Sequence, residues 1–140
     1  GAMERLGQLL VLRPEVLSPE QPEALPEQSP GRLVLESVSF SYPSRPETWA
    51  IKNLSVTIEP GEQIALVGPS GAGKSTVFQL LLRMYDPQSG RIAIDGVGIQ
   101  QLSLKTLRQF IGIVPQETVI LASARKTISG LVVLRPQIRR

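Results

Sequence analysis

Gly68, Gly73, Lys74 and Ser75 stand at the fixed positions of the pattern G-x-x-x-x-G-K-[ST], and Gly71 adds a further glycine between them. Glycines at such spacing let the backbone curl until successive N–H groups converge on one point, which makes a nest for phosphate oxygens. A helix beginning near Lys74 aims its positive end at the same point. In this reading Lys74 reaches the β- and γ-phosphates, and the Ser75 hydroxyl completes a Mg²⁺ shell made mostly of phosphate oxygens and water. The loop as a whole, Gly68, Pro69, Ser70, Gly71, Ala72, Gly73, Lys74, Ser75 and Thr76, is therefore expected to cradle a nucleoside triphosphate.

Such a loop needs a strand before it and a helix after it. The apolar run Ile64-Ala-Leu-Val67 reads as a buried strand entering the loop. Thr76 to Met84 reads as the following helix, with Val77, Leu80, Leu81 and Met84 at helical spacing and the Asp86 turn at its end. Upstream, residues 32–40 alternate like a half-buried strand, with Leu33, Leu35, Val38 and Phe40 not quite in strict register. Residues 51–58 form a second strand. Downstream, residues 91–95 form a strand entering an Asp95-Gly96 turn. Leu104 to Phe110 is a short helix capped by Ser103, and Ile111 to Val114 is a buried strand leading to Pro115 and Gln116. Strands first and then alternating strands and helices imply an α/β class with an antiparallel accessory sheet.

The N-terminal residues 1–12 read as a short helix with Leu6, Leu9 and Leu10 on one face. Residues 13–31 hold Pro14, Pro19, Pro22, Pro26 and Pro30 among glutamates and read as an extended linker. The chain of 140 residues has room for one domain at most. It has no Cys for disulfides or thiolate metal sites and no His to serve as a general base. No apolar run reaches the roughly 18–20 residues that span a bilayer, and the apolar stretch at Leu9–Leu12 is too short for a secretory signal. Formal net charge is +3, yet Arg125, Lys126, Arg135, Arg139 and Arg140 supply five positive charges in an acid-free tail, which leaves the first 121 residues at −2. With few aromatics and no interleaving of basic and aromatic residues, nucleic acid is not an expected partner.

The neighbours of the phosphate loop carry a resemblance. Tyr42 in Phe40-Ser-Tyr-Pro, the Tyr85-Asp-Pro-Gln-Ser-Gly90 and Ile94-Asp-Gly96 turns, and Gln116 in Val114-Pro-Gln-Glu117 come in order around it. Together they closely resemble the ATP-binding domain of ABC transporters, of the multidrug and lipid exporter type, over about residues 1–121. The resemblance implies a P-loop NTPase (RecA-like) core with an antiparallel accessory sheet. It makes residues 1–12 the end of a helix from a membrane domain, and 32–121 part of an ATP-binding domain that stops before its helical subdomain. It implies ATP and Mg²⁺ as cofactors, Tyr42 stacking on adenine, Lys74 and Gln116 as catalytic residues, and Ser75 and Gln116 at the metal. A stacked base is worth about 1–3 kcal/mol on an aromatic platform. The implied partners are the transmembrane domain of the same transporter and a second ATP-binding domain, at the cytoplasmic face of a membrane. A loop tyrosine that merely packs on its domain is the plain alternative for Tyr42. A small P-loop kinase and a non-functional remnant are the alternatives for the whole chain.

The family continues beyond Gln116 to a signature loop beginning Leu-Ser-Gly-Gly, an acidic strand and a switch His. This sequence has none of them: its only aspartates are Asp86 and Asp95, both before Gln116. Binding of ATP without appreciable turnover is the expectation. Without the strands that would flank them, Ile64–Val67 and Ile111–Val114 are expected to be under-covered. Residues 122–140 depart from the family. One permitted set of codons for Lys126 to Arg140, read two bases on, spells Asn-Asn-Ile-Arg-Leu-Gly-Arg-Pro-Glu-Ala-Thr-Asp-Lys-Glu. The usual continuation resembles Glu-Asn-Ile-x-x-Gly-Arg-Pro-x-Ala-x-Asp, so the tail is expected to be out-of-frame sequence, disordered or loosely packed.

Overall fold

The structure is a computed structural model, and it describes residues 16–114 together with the strand at 131–134. The expected N-terminal helix, Gln116 and most of the tail lie outside the described residues.

Strand β1 (Leu33–Ser41) is the spine. Its inward face is Leu33 and Leu35, then Val38 and Phe40, all nearly fully buried. The break in alternation seen in the sequence is a bulge. Pairing with the neighbouring strand shifts between Leu35 and Val38, and Ser37 takes a positive φ of 48°. An extra residue at that point returns Val38 and Phe40 to the buried face. On one side β1 pairs antiparallel with β2 (Trp49–Ile58), Leu33 opposite Ile58 and Phe40 opposite Ile51. On the other it pairs antiparallel with β3 (Ser89–Ile94), Leu33 opposite Ile94 and Leu35 opposite Ile92. A two-residue turn at Asp95 (φ 49°) and Gly96 (φ 86°) joins β3 to β4 (Val97–Gly98). Positive φ at both central positions is what an Asp-Gly hairpin turn supplies at low cost. The sheet order is β2-β1-β3-β4.

Helix α1 (Lys74–Leu81) buries Val77, Leu80 and Leu81 against this sheet. It is shorter than the expected run to Met84. Leu81 is its last residue because Arg83 turns left-handed (φ 53°), and its N–H reaches the Leu80 carbonyl while the Met84 N–H reaches that of Gln79. That pair of bonds is a Schellman closure with arginine where glycine is usual. The Arg83 guanidinium is buried and pairs with Asp86 (Nε to Oδ1, 2.9 Å), so Asp86 secures the helix end as well as following it. Helix α2 (Leu104–Phe110) buries Leu107 and Phe110, and Ser103 caps it as expected, its Oγ accepting from the Thr106 N–H at 3.0 Å.

Two expectations fail. Residues 64–67 form no strand, and Ile64 and Val67 are 42 % and 88 % exposed. An apolar run becomes a buried strand only when neighbours pair with its backbone and cover its side chains; no described strand does so here. The two described sheets are antiparallel throughout, as expected of the accessory sheet, and the described residues add two helices to them. Under-coverage was expected of both runs; it holds for Ile64 and Val67, whereas Ile111 in the second run is buried. β5 (Ile111–Val114) has Ile111 buried and pairs antiparallel with β6 (Leu131–Leu134), Ile111 opposite Leu134 and Val114 opposite Leu131. That portion of the tail is ordered as a strand, because Leu-Val-Val-Leu has the side chains that suit one.

Residues 16–32 are a strap laid on the domain. Val16 is buried, and the Ser18 Oγ accepts from the Leu104 N–H at 2.9 Å. The Glu23 N–H donates to the Gln101 carbonyl at 2.7 Å. At its end the Asp95 carboxylate accepts from the Ser29 hydroxyl, from the Gly31 N–H (3.0 Å) and from the Arg32 N–H (2.8 Å).

Candidate nucleotide-binding site

The phosphate loop runs from β2's neighbourhood into the first turn of α1, and Gly73 is its pivot. Gly73 caps the helix in the left-handed region (φ 82°, ψ 7°), which an L side chain adopts only with strain. A β-carbon there would also lie 2.4 Å from the Ala50 carbonyl oxygen and 3.3 Å from Ile51. The glycine therefore serves two needs at once, turning the chain and letting α1 begin directly against β2. Gly71 has the same φ of 82° but open space around it, so only the turn demands it.

No side chain caps α1, and no acidic residue lies in its first turn. The amide donors of that turn are thus left for an anion, which is the electrostatic arrangement a phosphate group exploits. Lys74 Nζ folds back over the loop and donates to the carbonyls of Gly68 and Pro69, both at 2.7 Å. These are neutral acceptors, so phosphate oxygens of full negative charge would compete well for the same ammonium group. Ser75 is exposed in the first turn and Thr76 is buried behind it. Among the described residues no cluster of three His, Cys, Asp or Glu could hold a metal. A Mg²⁺ at Ser75 would therefore take most of its oxygens from the nucleotide and water, which is the manner in which that ion ordinarily binds beside phosphates.

Tyr42 stands just beyond β1, half-buried, in a three-ring cluster. Its ring lies 5.0 Å from Phe40 and 5.5 Å from Tyr85, nearly perpendicular to both. Its hydroxyl bonds Thr76 Oγ1 at 2.8 Å and donates to Gln79 Oε1 at 2.7 Å. Tyr42, Thr76 and the loop are thus brought together through the first turns of α1. Gln116, expected at the metal, lies outside the described residues. Sequence reasoning missed Gln79. Its only signal was a polar residue one turn after Thr76, set among the apolar Val77, Phe78, Leu80 and Leu81. It also read Asp95 as a turn former alone.

A family model described as ABC transporter matches residues 51–129, a stretch that includes the whole phosphate loop. The chain belongs to the ABC transporter family. The match reaches past residue 121, where the resemblance read from the motifs was expected to fade. The mitochondrial iron-sulfur clusters transporter of Kluyveromyces lactis is 48 % identical over 99 residues, covering 71 % of this chain and 14 % of that protein. The mitochondrial ATP-dependent permease of Saccharomyces cerevisiae is 45 % identical over 124 residues, covering 87 % of this chain and 16 % of its own length. ATP-binding cassette sub-family B member 5 of Homo sapiens is 45 % identical over 112 residues, 80 % of this chain and 9 % of that one. Among solved structures, a bacterial Atm1-family ABC exporter with ATP bound superimposes with a TM-score of 0.64 at 35 % identity, over 77 % of this chain and 18 % of that one. This ABC transporter chain therefore spans less than a fifth of each of these relatives.

Proposed function

We propose that the chain binds Mg-ATP through the phosphate loop, as part of the nucleotide-binding domain of an exporter-type ABC transporter that couples ATP hydrolysis to transmembrane transport. The observation that carries this reading is Lys74 poised over the loop on two exchangeable carbonyl bonds, beside a helix start with free amides. The loop from Gly68 to Gly73 would wrap the phosphates with its backbone N–H groups, Pro69 having none, Lys74 would offset the β/γ charge, and Ser75, joined by Gln116, would hold the metal. When bound, Mg²⁺ supplies charge neutralisation across the β- and γ-phosphates. Tyr42 offers its ring to the adenine. The partners under this reading are the transmembrane domain and a second ATP-binding domain, at the cytoplasmic face of the membrane.

This chain by itself binds ATP with negligible turnover. Phosphoryl transfer in P-loop enzymes relies on an aspartate that holds the metal. Both aspartates are engaged elsewhere, Asp86 with Arg83 and Asp95 with Ser29, Gly31 and Arg32. Stabilisation by ligand follows from mass action, about 2.7 kcal/mol at a hundredfold excess over Kd, so thermal unfolding with and without Mg-ATP tests the reading. Wild type should rise in Tm and Lys74→Ala should not. Steady phosphate release that persists in Lys74→Ala would sink it.

A further inference from the structure

Thr76 and Gln79 lie one turn apart on α1, on the side facing Tyr42, while Val77, Leu80 and Leu81 face the sheet. A phenol has a single proton. Tyr42 gives it to Gln79 Oε1 at 2.7 Å, so the 2.8 Å bond to Thr76 must run the other way, from the threonine hydroxyl to the phenol oxygen. The direction is therefore fixed along the chain: Thr76 donates to Tyr42, and Tyr42 donates to Gln79. Two bonds from one helix hold the tip of the ring, and Phe40 and Tyr85 hold its body at steep angles.

A tyrosine on a loop would otherwise lose rotamer freedom on meeting a base, and that cost would weaken binding. We propose that Gln79 is a positioning residue for nucleotide selection: by accepting the Tyr42 proton it holds the ring in its base-receiving orientation, and ties it to the helix that carries Lys74 and Ser75. This rests on the reading of Tyr42 as the adenine platform. It also makes base recognition and phosphate recognition properties of one rigid helix, since Thr76 directly follows Ser75.

The test compares the affinity of the full chain for Mg-ATP with its affinity for Mg-tripolyphosphate, which has the charges but no base. Gln79→Leu should weaken Mg-ATP by about two- to tenfold, the value of one net hydrogen bond, and leave tripolyphosphate unchanged. Gln79→Glu keeps an acceptor and should restore selectivity. Tyr42→Phe keeps the ring but loses both the proton given to Gln79 and the oxygen that accepts from Thr76, so it should weaken Mg-ATP at least as much as Gln79→Leu while sparing tripolyphosphate, and the double variant should be no worse than Tyr42→Phe alone. Equal losses for ATP and tripolyphosphate, or additive losses in the double variant, would overturn the proposal. If Tyr42→Ala lowers the ATP preference while Gln79→Leu does not, the platform stands and the positioning role fails. If wild type shows no preference for ATP over tripolyphosphate, the platform fails and the proposal with it.

Discussion

Gly73 and Ala50 touch backbone to backbone: a β-carbon on the glycine would sit 2.4 Å from the Ala50 carbonyl oxygen. The phosphate loop is thereby pressed against β2, and the geometry of the helix start is set by a strand that has no chemistry of its own. This contact separates Gly73 from Gly71, which has the same φ of 82° but open space around it.

Gly73→Ala should therefore cost more than Gly71→Ala. Both positions carry φ of 82° and share a left-handed strain of about 1–2 kcal/mol for any L side chain. Only Gly73 adds a backbone collision, so its variant should unfold at clearly lower denaturant and lose Mg-ATP-dependent stabilisation. Equal midpoints for the two variants would show that Ala50 yields.

The Asp95 latch gives a second expectation. Asp95→Asn keeps a residue tolerant of positive φ but removes the charge that three donors share. Hydrogen bonds to charged groups contribute about 1.5–3 kcal/mol, so a destabilisation of about that size should follow, read as a shift in the denaturant midpoint. Amide exchange at Gly31 and Arg32 should accelerate while α1 amides, which the latch does not reach, keep their relative order. Unchanged exchange at Gly31 would remove the latch.

Val67 is 88 % exposed and Ile64 42 %, next to an unpaired backbone. Such a segment is a template for pairing with another chain. Val67→Lys should raise solubility and reduce concentration-dependent self-association in sedimentation, with little change in Tm because no core packing is removed. Unaltered self-association would place the sticky surface elsewhere.

The tail carries a genetic expectation. If Lys126 to Arg140 is out-of-frame sequence, the DNA that encodes it reads two bases on as an asparagine-led continuation of balanced charge, followed in that frame by a signature loop and then an acidic strand. Sequencing the gene decides it. An uninterrupted frame with neither feature in its neighbour refutes it.

Local signals carried much of the fold. Ser103 announces the cap of α2, the Asp95-Gly96 pair announces its hairpin, and the broken alternation around Leu35 and Val38 coincides with the bulge at which Ser37 turns left-handed. The phosphate loop was legible because its glycines answer to backbone geometry within a few residues. Ile64–Val67 was misread because apolarity says that a run seeks burial, not whether another strand is present to provide it. Gln79 was illegible for a related reason. Its partner Tyr42 lies 37 residues away, and only folding brings the two together.

The strap alters how the chain enters the domain at Val16. From Val16 onward the chain is fastened at Leu104, at Gln101 and finally at Asp95, so it behaves as a taut cable rather than a slack tether. A pull arriving from upstream is delivered first to the start of α2 and then to the β3–β4 hairpin. From there the load passes through the β3–β1 ladder to Tyr42, where β1 ends. Force applied at the amino-terminal end would reach Tyr42 before it reached the phosphate loop.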